Sequence, residues 1–366
     1  MNNIKIYISI LIIFSLSAFI SCSNDSVSDK KEIAVEAAKD VNESDLLLNF
    51  IEKSGDFINS KKVPTIIKAV EVYDNLDKYL IIDIRNHDDY IDGHIDGAVN
   101  VTVKELLNYM YSEANPGNYE KVVITGYSGQ TAAYYSSLLH LLGYGNVYSL
   151  KWGMSSWSKK INPNKWSVNI SNKFAGSLET KANAKGAKGS LPTLNTGKTT
   201  GYGILEARAN KVAADGFKKG YIKFDKLKEE QDKYYVISYW PVTVYGHGHL
   251  SGAINYQPKE SLAIDKSLAT LPTDKPIVVY CYSGHHSAFV AAYLRVLGYD
   301  AYTLLYGANS YMNGKMRTGI GHAFDPLKEI NDYPLVEGEI LIDKKITKKE
   351  NNNTDSLKTS TKTDKK

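Results

Sequence analysis

The chain has 366 residues, 43% hydrophobic and 23% charged, which is room and composition for two ordinary domains plus tails. Its net charge of +4 stems from the C-terminus, where Lys344 to Lys366 sets eight lysines against Glu350, Asp355 and Asp364. The remainder is about neutral, and no basic patch with interleaved aromatics supports a nucleic-acid partner. Only Cys22 and Cys281 are present, which excludes a disulfide framework.

The chain opens with MNNIKIYISILIIFSLSAFISC, where Lys5 precedes an apolar run from Ile6 to Ile20 that is too short and too N-terminal for a membrane span. Its end, Ser21-Cys22, resembles the bacterial lipoprotein lipobox, although Phe19 replaces the usual leucine. The resemblance implies that residues 1–22 are a signal peptide ending at a lipidated Cys22. The product would be anchored to the cell envelope by lipid and face the periplasm or exterior. Residues 23–61 read as a polar tether followed, from Ser44, by a short amphipathic helix in LLLNFIEKSGDFIN.

A first domain over 62–161 carries an apolar strand at Leu80 to Ile84 and the turn-rich segment GHIDGA around His94. Its pattern recurs. Adding 155 maps His94 to His249, Gly97 to Gly252, Asn100 to Asn255, Tyr127 to Tyr282, Gly129 to Gly284, Leu142 to Leu297 and Tyr144 to Tyr299. After one dropped residue, Trp152, Gly153 and Trp157 face Tyr306, Gly307 and Tyr311. Residues 162–212 are rich in Lys, Ala, Gly, Ser, Thr and Asn and read as a surface linker. Residues 213–338 form the second domain, and 339–366 a Lys-rich tail unable to bury a core. Short apolar strands alternating with helical patterns predict an α/β fold, each half a parallel sheet flanked by helices.

The richest stretch for chemistry is IVVYCYSGHHSAFVAAYLRVLGY, from Ile277 to Tyr299. It reads as a strand, a tight loop with Gly284, and a helix with Ala288, Val290, Ala291, Leu294 and Leu297 on its apolar positions. Cys281 then sits at the carboxyl end of a strand under a helix N-terminus, whose free N–H groups favour a thiolate. A buried, inert cysteine is the competing reading, disfavoured by the polar neighbours Tyr282, Ser283, His285 and His286.

These residues resemble a tandem of rhodanese-like domains over roughly Val63 to Asn313. The resemblance rests on DIRNHDDYIDGHIDGAVN in the first half and on the loop Cys281 to Ser287 in the second. It implies a sulfurtransferase in which Cys281 carries a persulfide and Tyr282, Ser283, Gly284, His285, His286 and Ser287 cradle it with backbone N–H groups. The partners implied are a small sulfane donor and a thiol or cyanide acceptor; no cofactor or metal is implied. The first half has Gly126 in place of Cys281 and is expected to lack catalysis. Asp83 and Arg85 become Ser238 and Trp240 in the second half, and His286 stands near a common arginine position. Because the family can use these places to contact anionic substrates, the changes point away from thiosulfate as donor. Histidine charge would then raise turnover with anionic donors as the pH falls toward about 6 to 7.

Other readings are weaker. A phosphatase loop needs an arginine where Ser287 stands. His247, His249, His285, His286 and Cys281 lack a standard metal-ligand spacing, and His249 matches His94, where no cysteine is available. PTLNTGKT at Pro192 to Thr199 lacks the first glycine and the preceding strand of a P-loop. A rhodanese-like carrier or binding lipoprotein without turnover is the non-enzymatic alternative.

Overall fold

The computed structural model describes residues 42–55 and 57–339, so Cys22, residues 23–41 of the expected tether and nearly all of the Lys-rich tail lie outside the described residues. The first sheet comprises β1 (Ile66–Ile67), β2 (Tyr79–Asp83), β3 (Val99–Asn100), β4 (Lys121–Thr125) and β5 (Val147–Leu150) in the order β1-β5-β4-β2-β3. The second repeats it with β6 (Tyr221–Ile222), β7 (Tyr235–Ser238), β8 (Ile254–Asn255), β9 (Ile277–Tyr280) and β10 (Ala301–Leu304) in the order β6-β10-β9-β7-β8. Every pairing is parallel. The repeat extends to register, since Leu80 lies opposite Val122 and Tyr235 opposite Ile277. β9 is buried throughout, which is why it reads as an unbroken apolar run rather than an alternation.

Each central strand leads through a loop into a helix, Gln130–Leu141 after β4 and His285–Val296 after β9. Ten of the twelve residues in each helix are buried, so neither has a solvent face. The two helices pack on one another, with Ala132, Ala133, Ala288 and Ala292 among their buried residues, and Ser137 Oγ donates to the Phe289 carbonyl at 2.8 Å. One apolar cluster therefore runs through both halves, from Leu80 and Ile124 by way of Leu138 and Val290 to Ile277. Tyr134, Tyr135 and Tyr293 fill it.

The segments expected to be a linker and a domain end are more structured than their composition suggests. Residues 201–215 form a helix capped by Thr200, whose Oγ1 accepts the Gly203 N–H at 3.1 Å. Its Arg208 in turn donates to the Arg295 and Val296 carbonyls at 2.6 and 3.0 Å, closing the C-terminus of the His285–Val296 helix. Glu179 exchanges main-chain hydrogen bonds with His249, while Val336, beyond the second sheet, exchanges them with His94 of the first domain. Tyr333 and Leu335 pack with Trp157 there. Thus each half is strapped by the segment that follows the other. The expected boundaries 162–212 and 213–338 miss this because the pairing is between distant backbones and leaves no local pattern.

The helix expected from Ser44 spans Glu43–Lys53, with Asn42 as its N-cap. The Glu43 carboxylate accepts N–H bonds from Thr196 and Gly197 and the Thr196 hydroxyl, at 2.7 to 3.0 Å. The P-loop-like segment is thus an anion nest already filled by the chain's own carboxylate. Burial alone would raise the Glu43 pKa, but the Thr196 and Gly197 donors overcome it and hold it below the ordinary value. A depressed carboxylate contributes stability above its unfolded pKa that is lost as pH falls through its folded one. Glu43→Ala should therefore cost about 2 kcal/mol at pH 7 in urea unfolding, with the deficit narrowing as the parent is acidified. An equal midpoint at pH 7 would show the nest to be idle.

Candidate active site

β9 is the middle strand of its sheet, with β10 on one side and β7 on the other, so chain direction across the sheet reverses there. The carboxyl end of such a strand is where open α/β sheets leave a crevice. Cys281 stands at that end, 2% exposed, and is the free cysteine among the described residues. A helix leaves its first N–H groups without partners of its own. Here the Ser287 N–H, in the first turn, points at Cys281 Sγ at 3.3 Å.

The loop is held from beneath by the turn after β10. Ala308 N–H donates to the Cys281 carbonyl at 3.0 Å, and Asn309 Nδ2 donates to the Tyr282 carbonyl at 2.8 Å. Gly307 has φ of 52°, and a Cβ on it would stand 2.4 Å from the Cys281 oxygen, so only glycine fits. Ser287 Oγ and Thr303 Oγ1 share a 2.7 Å hydrogen bond that ties the helix start to β10. Around the loop, Tyr282 stacks with Trp240 and packs on the His322 ring, and Tyr239 meets His286 edge-on at 4.8 Å. The Tyr282 phenol is pushed up first by burial and further by the Cys281 charge.

The candidate loop residues divide by what their side chains do. His285 turns away from Cys281 into the seam between domains, where Nδ1 bonds Ser283 Oγ at 3.0 Å and Nε2 accepts the Trp152 N–H at 3.2 Å. Its ring lies parallel to Trp166 and edge-on to Trp152. Burial, with Lys151 nearby, pushes its pKa down to about 3. His286 is partly exposed, but its Nε2 is buried without a hydrogen-bond partner. Burial, then the charge of Lys259, pushes its pKa down to about 3. With their pKa values pushed down to about 3, neither imidazole supplies the expected histidine charge beside the thiol at pH 6 to 7.

The Asp83–Arg85 comparison also changes meaning. Arg85, 4% exposed, spends its donors on Asp83 at 2.7 to 3.1 Å and on the Gly93 carbonyl at 2.7 Å. That guanidinium fastens a strand end and is not free to meet a substrate. Its counterpart Trp240 is fully buried against Tyr280 and Tyr282. The substitution exchanges a buried ion pair for aromatic packing, so it says nothing against thiosulfate. His94 and His249 are alike, each buried, bonded through Nδ1 to the Tyr90 or Tyr245 carbonyl and stacked on that tyrosine. His247 is exposed, and among the described residues no three His, Cys, Asp or Glu side chains gather as metal ligands.

In the first domain the corresponding turn is intact, with Gly153 standing to the Gly126 carbonyl as Gly307 stands to that of Cys281. A Cβ at Gly126 would lie 3.2 Å from Ile84 Cγ1, so Ile84 crowds the nucleophile position. Gln130, Trp166 and Tyr239, none of them expected at the site, surround the loop together with Trp152 and Tyr306, which were expected only as matched positions of the repeat. Gln130 was within reach, because the offset of 155 places it opposite His285.

The family model for the rhodanese-like domain matches residues 68–160 and 224–313, together half of the chain. Among curated proteins, thiosulfate sulfurtransferase GlpE of Shewanella oneidensis is 36% identical over 77 residues, covering 21% of this chain and 73% of that protein. A probable molybdopterin-synthase adenylyltransferase of Porphyra purpurea is 30% identical over 95 residues, 26% of this chain; the match spans only 24% of that protein. Among solved structures, the 3-mercaptopyruvate sulfotransferase SseA of Escherichia coli is 16% identical, with 66% of this chain and 97% of that one covered and a TM-score of 0.23. Both matched segments fall on the duplicated sheets, and the chain belongs to the rhodanese family as a tandem of two rhodanese-like domains.

Proposed function

We propose that the protein is a rhodanese-type sulfurtransferase whose second domain works through a Cys281 persulfide, while the first domain is catalytically inert. The observation that carries this is the thiol's placement: Cys281 Sγ ends the central strand and receives the Ser287 N–H at the start of a helix. Gly126 at the matching place offers no nucleophile. In the first step the Cys281 thiolate attacks the outer sulfur of a sulfane donor such as thiosulfate. A new S–S bond forms, the donor's own S–S bond breaks, and its electron pair leaves with sulfite. The N–H groups of Tyr282 to Ser287 stabilise the negative persulfide. In the second step cyanide or a thiolate takes the terminal sulfur and the Cys281 thiolate is restored.

A second reading, sulfur carriage or binding without turnover, draws on two features: the thiol is nearly closed to solvent, and the loop holds no arginine or lysine. Thiocyanate release from thiosulfate and cyanide separates the two. The sulfurtransferase gives ping-pong kinetics that Cys281→Ser abolishes, whereas a carrier gives at most one equivalent. Since burial pushes the His285 and His286 pKa values down to about 3, turnover should show no histidine-linked increase as the pH falls toward about 6. Activity surviving in Cys281→Ser would refute the persulfide route.

We further propose attachment to the cell envelope through Cys22, supported by the apolar run from Ile6 to Ile20 ending in Ser21-Cys22. Among the described residues no helix is long and apolar enough to cross a membrane. Several acyl chains hold a protein on a bilayer where one does so marginally. Cys22→Ala should move the protein out of the membrane fraction and alter its gel mobility; no change in either contradicts the anchor.

A further inference from the structure

We infer that Gln130, a residue of the first domain, is a positioning residue for Cys281, bracing from across the seam the turn on which the cysteine loop rests. Gln130 is fully buried, and its Oε1 accepts the Tyr306 N–H at 2.7 Å. Tyr306 and Gly307 are consecutive left-handed residues, with φ of 62° and 52°, a conformation costly for tyrosine unless its surroundings impose it. This is the turn that approaches the Cys281 carbonyl and whose Ala308 N–H holds it. Gly284, the loop glycine, has φ of 81°, and a Cβ there would stand 2.3 Å from Gln130 Oε1. The glycine therefore serves two demands at once, its own backbone conformation and the close approach of the first domain's amide.

The arrangement is reciprocal. His285 Nε2 accepts the Trp152 N–H, Trp152 and Gly153 are left-handed, and Met154 N–H holds the Gly126 carbonyl at 2.8 Å. A Cβ on Gly129 would meet His285 Nε2 at 2.4 Å. Each domain thus lends one acceptor to the other's turn, and the acceptor that steadies the cysteine comes from the half without one. Removing it takes the acceptor from the part-buried Tyr306 N–H, and the left-handed turn loses the bond that holds it in place. Relaxation would carry the Cys281 carbonyl and the Gly284 backbone with it, and misalign the Ser287 N–H that faces Sγ.

The test uses the full chain and follows iodoacetamide alkylation of the Cys281 peptide against pH by mass spectrometry, alongside persulfide formation from thiosulfate. Q130L and Q130N remove or shorten the acceptor; Q130H presents the same imidazole acceptor that His285 provides on the other side. With cooperative thermal unfolding retained, Q130L and Q130N should shift the alkylation midpoint to higher pH and slow sulfur uptake about tenfold. Q130H should restore both. Folded Q130L and Q130N proteins with the parental midpoint, or a Q130H protein as impaired as Q130L, would overturn the inference. It rests on Cys281 being the reactive thiol; because alkylation needs no donor, a parent that is alkylated yet takes up no sulfur counts against sulfur transfer alone and leaves the profile comparison standing.

Discussion

The packing of the Gln130–Leu141 helix on the His285–Val296 helix is the contact on which the molecule depends. Neither helix has a solvent face, so each half alone would expose a stripe that the other half covers. Because each helix follows the central strand of its sheet, joining them also brings the two loops at their N-termini to the seam. From that follow the continuous apolar core, the exchanged acceptors of Gln130 and His285, and the crossed straps that bind Glu179 to His249 and Val336 to His94.

Electrostatics at Cys281 then reduces to backbone dipoles. Among the described residues the loop offers no fixed cation, and its two imidazoles are kept neutral by burial. What favours negative charge on sulfur is the helix start, where the Ser287 N–H already reaches Sγ. Dipoles of this kind act only when they are held in place. The rigidity of the Tyr306–Gly307 turn and of the Ser287–Thr303 hydrogen bond is therefore part of the chemistry.

Much of this was legible in the sequence. The unbroken apolar run Ile277 to Tyr280 gave β9, the 3.6-residue spacing after Gly284 gave the helix, and the offset of 155 gave the duplicated sheet down to its register. The match of His249 with His94, whose half has no cysteine, argues against a metal role for His249, and both rings are bonded to a tyrosine carbonyl. What escaped were partnerships between distant segments. A linker rich in Lys and Gly gives no local sign that Glu179 will pair with His249, and a glutamine at a helix start gives none that it crosses a domain seam. The charge state of His285 and His286 and the internal use of Arg85 were misjudged for one reason: residue type suggests charge, but burial and partners decide it.

The central claim is that Cys281 itself takes up sulfane sulfur. The most direct measurement is peptide mass spectrometry after the purified full chain is exposed to thiosulfate or polysulfide without acceptor and then alkylated. One added sulfur atom on the Cys281 peptide, lost again on treatment with cyanide, is the predicted result. A Cys281 peptide that remains an unmodified thiol under every donor would contradict the account.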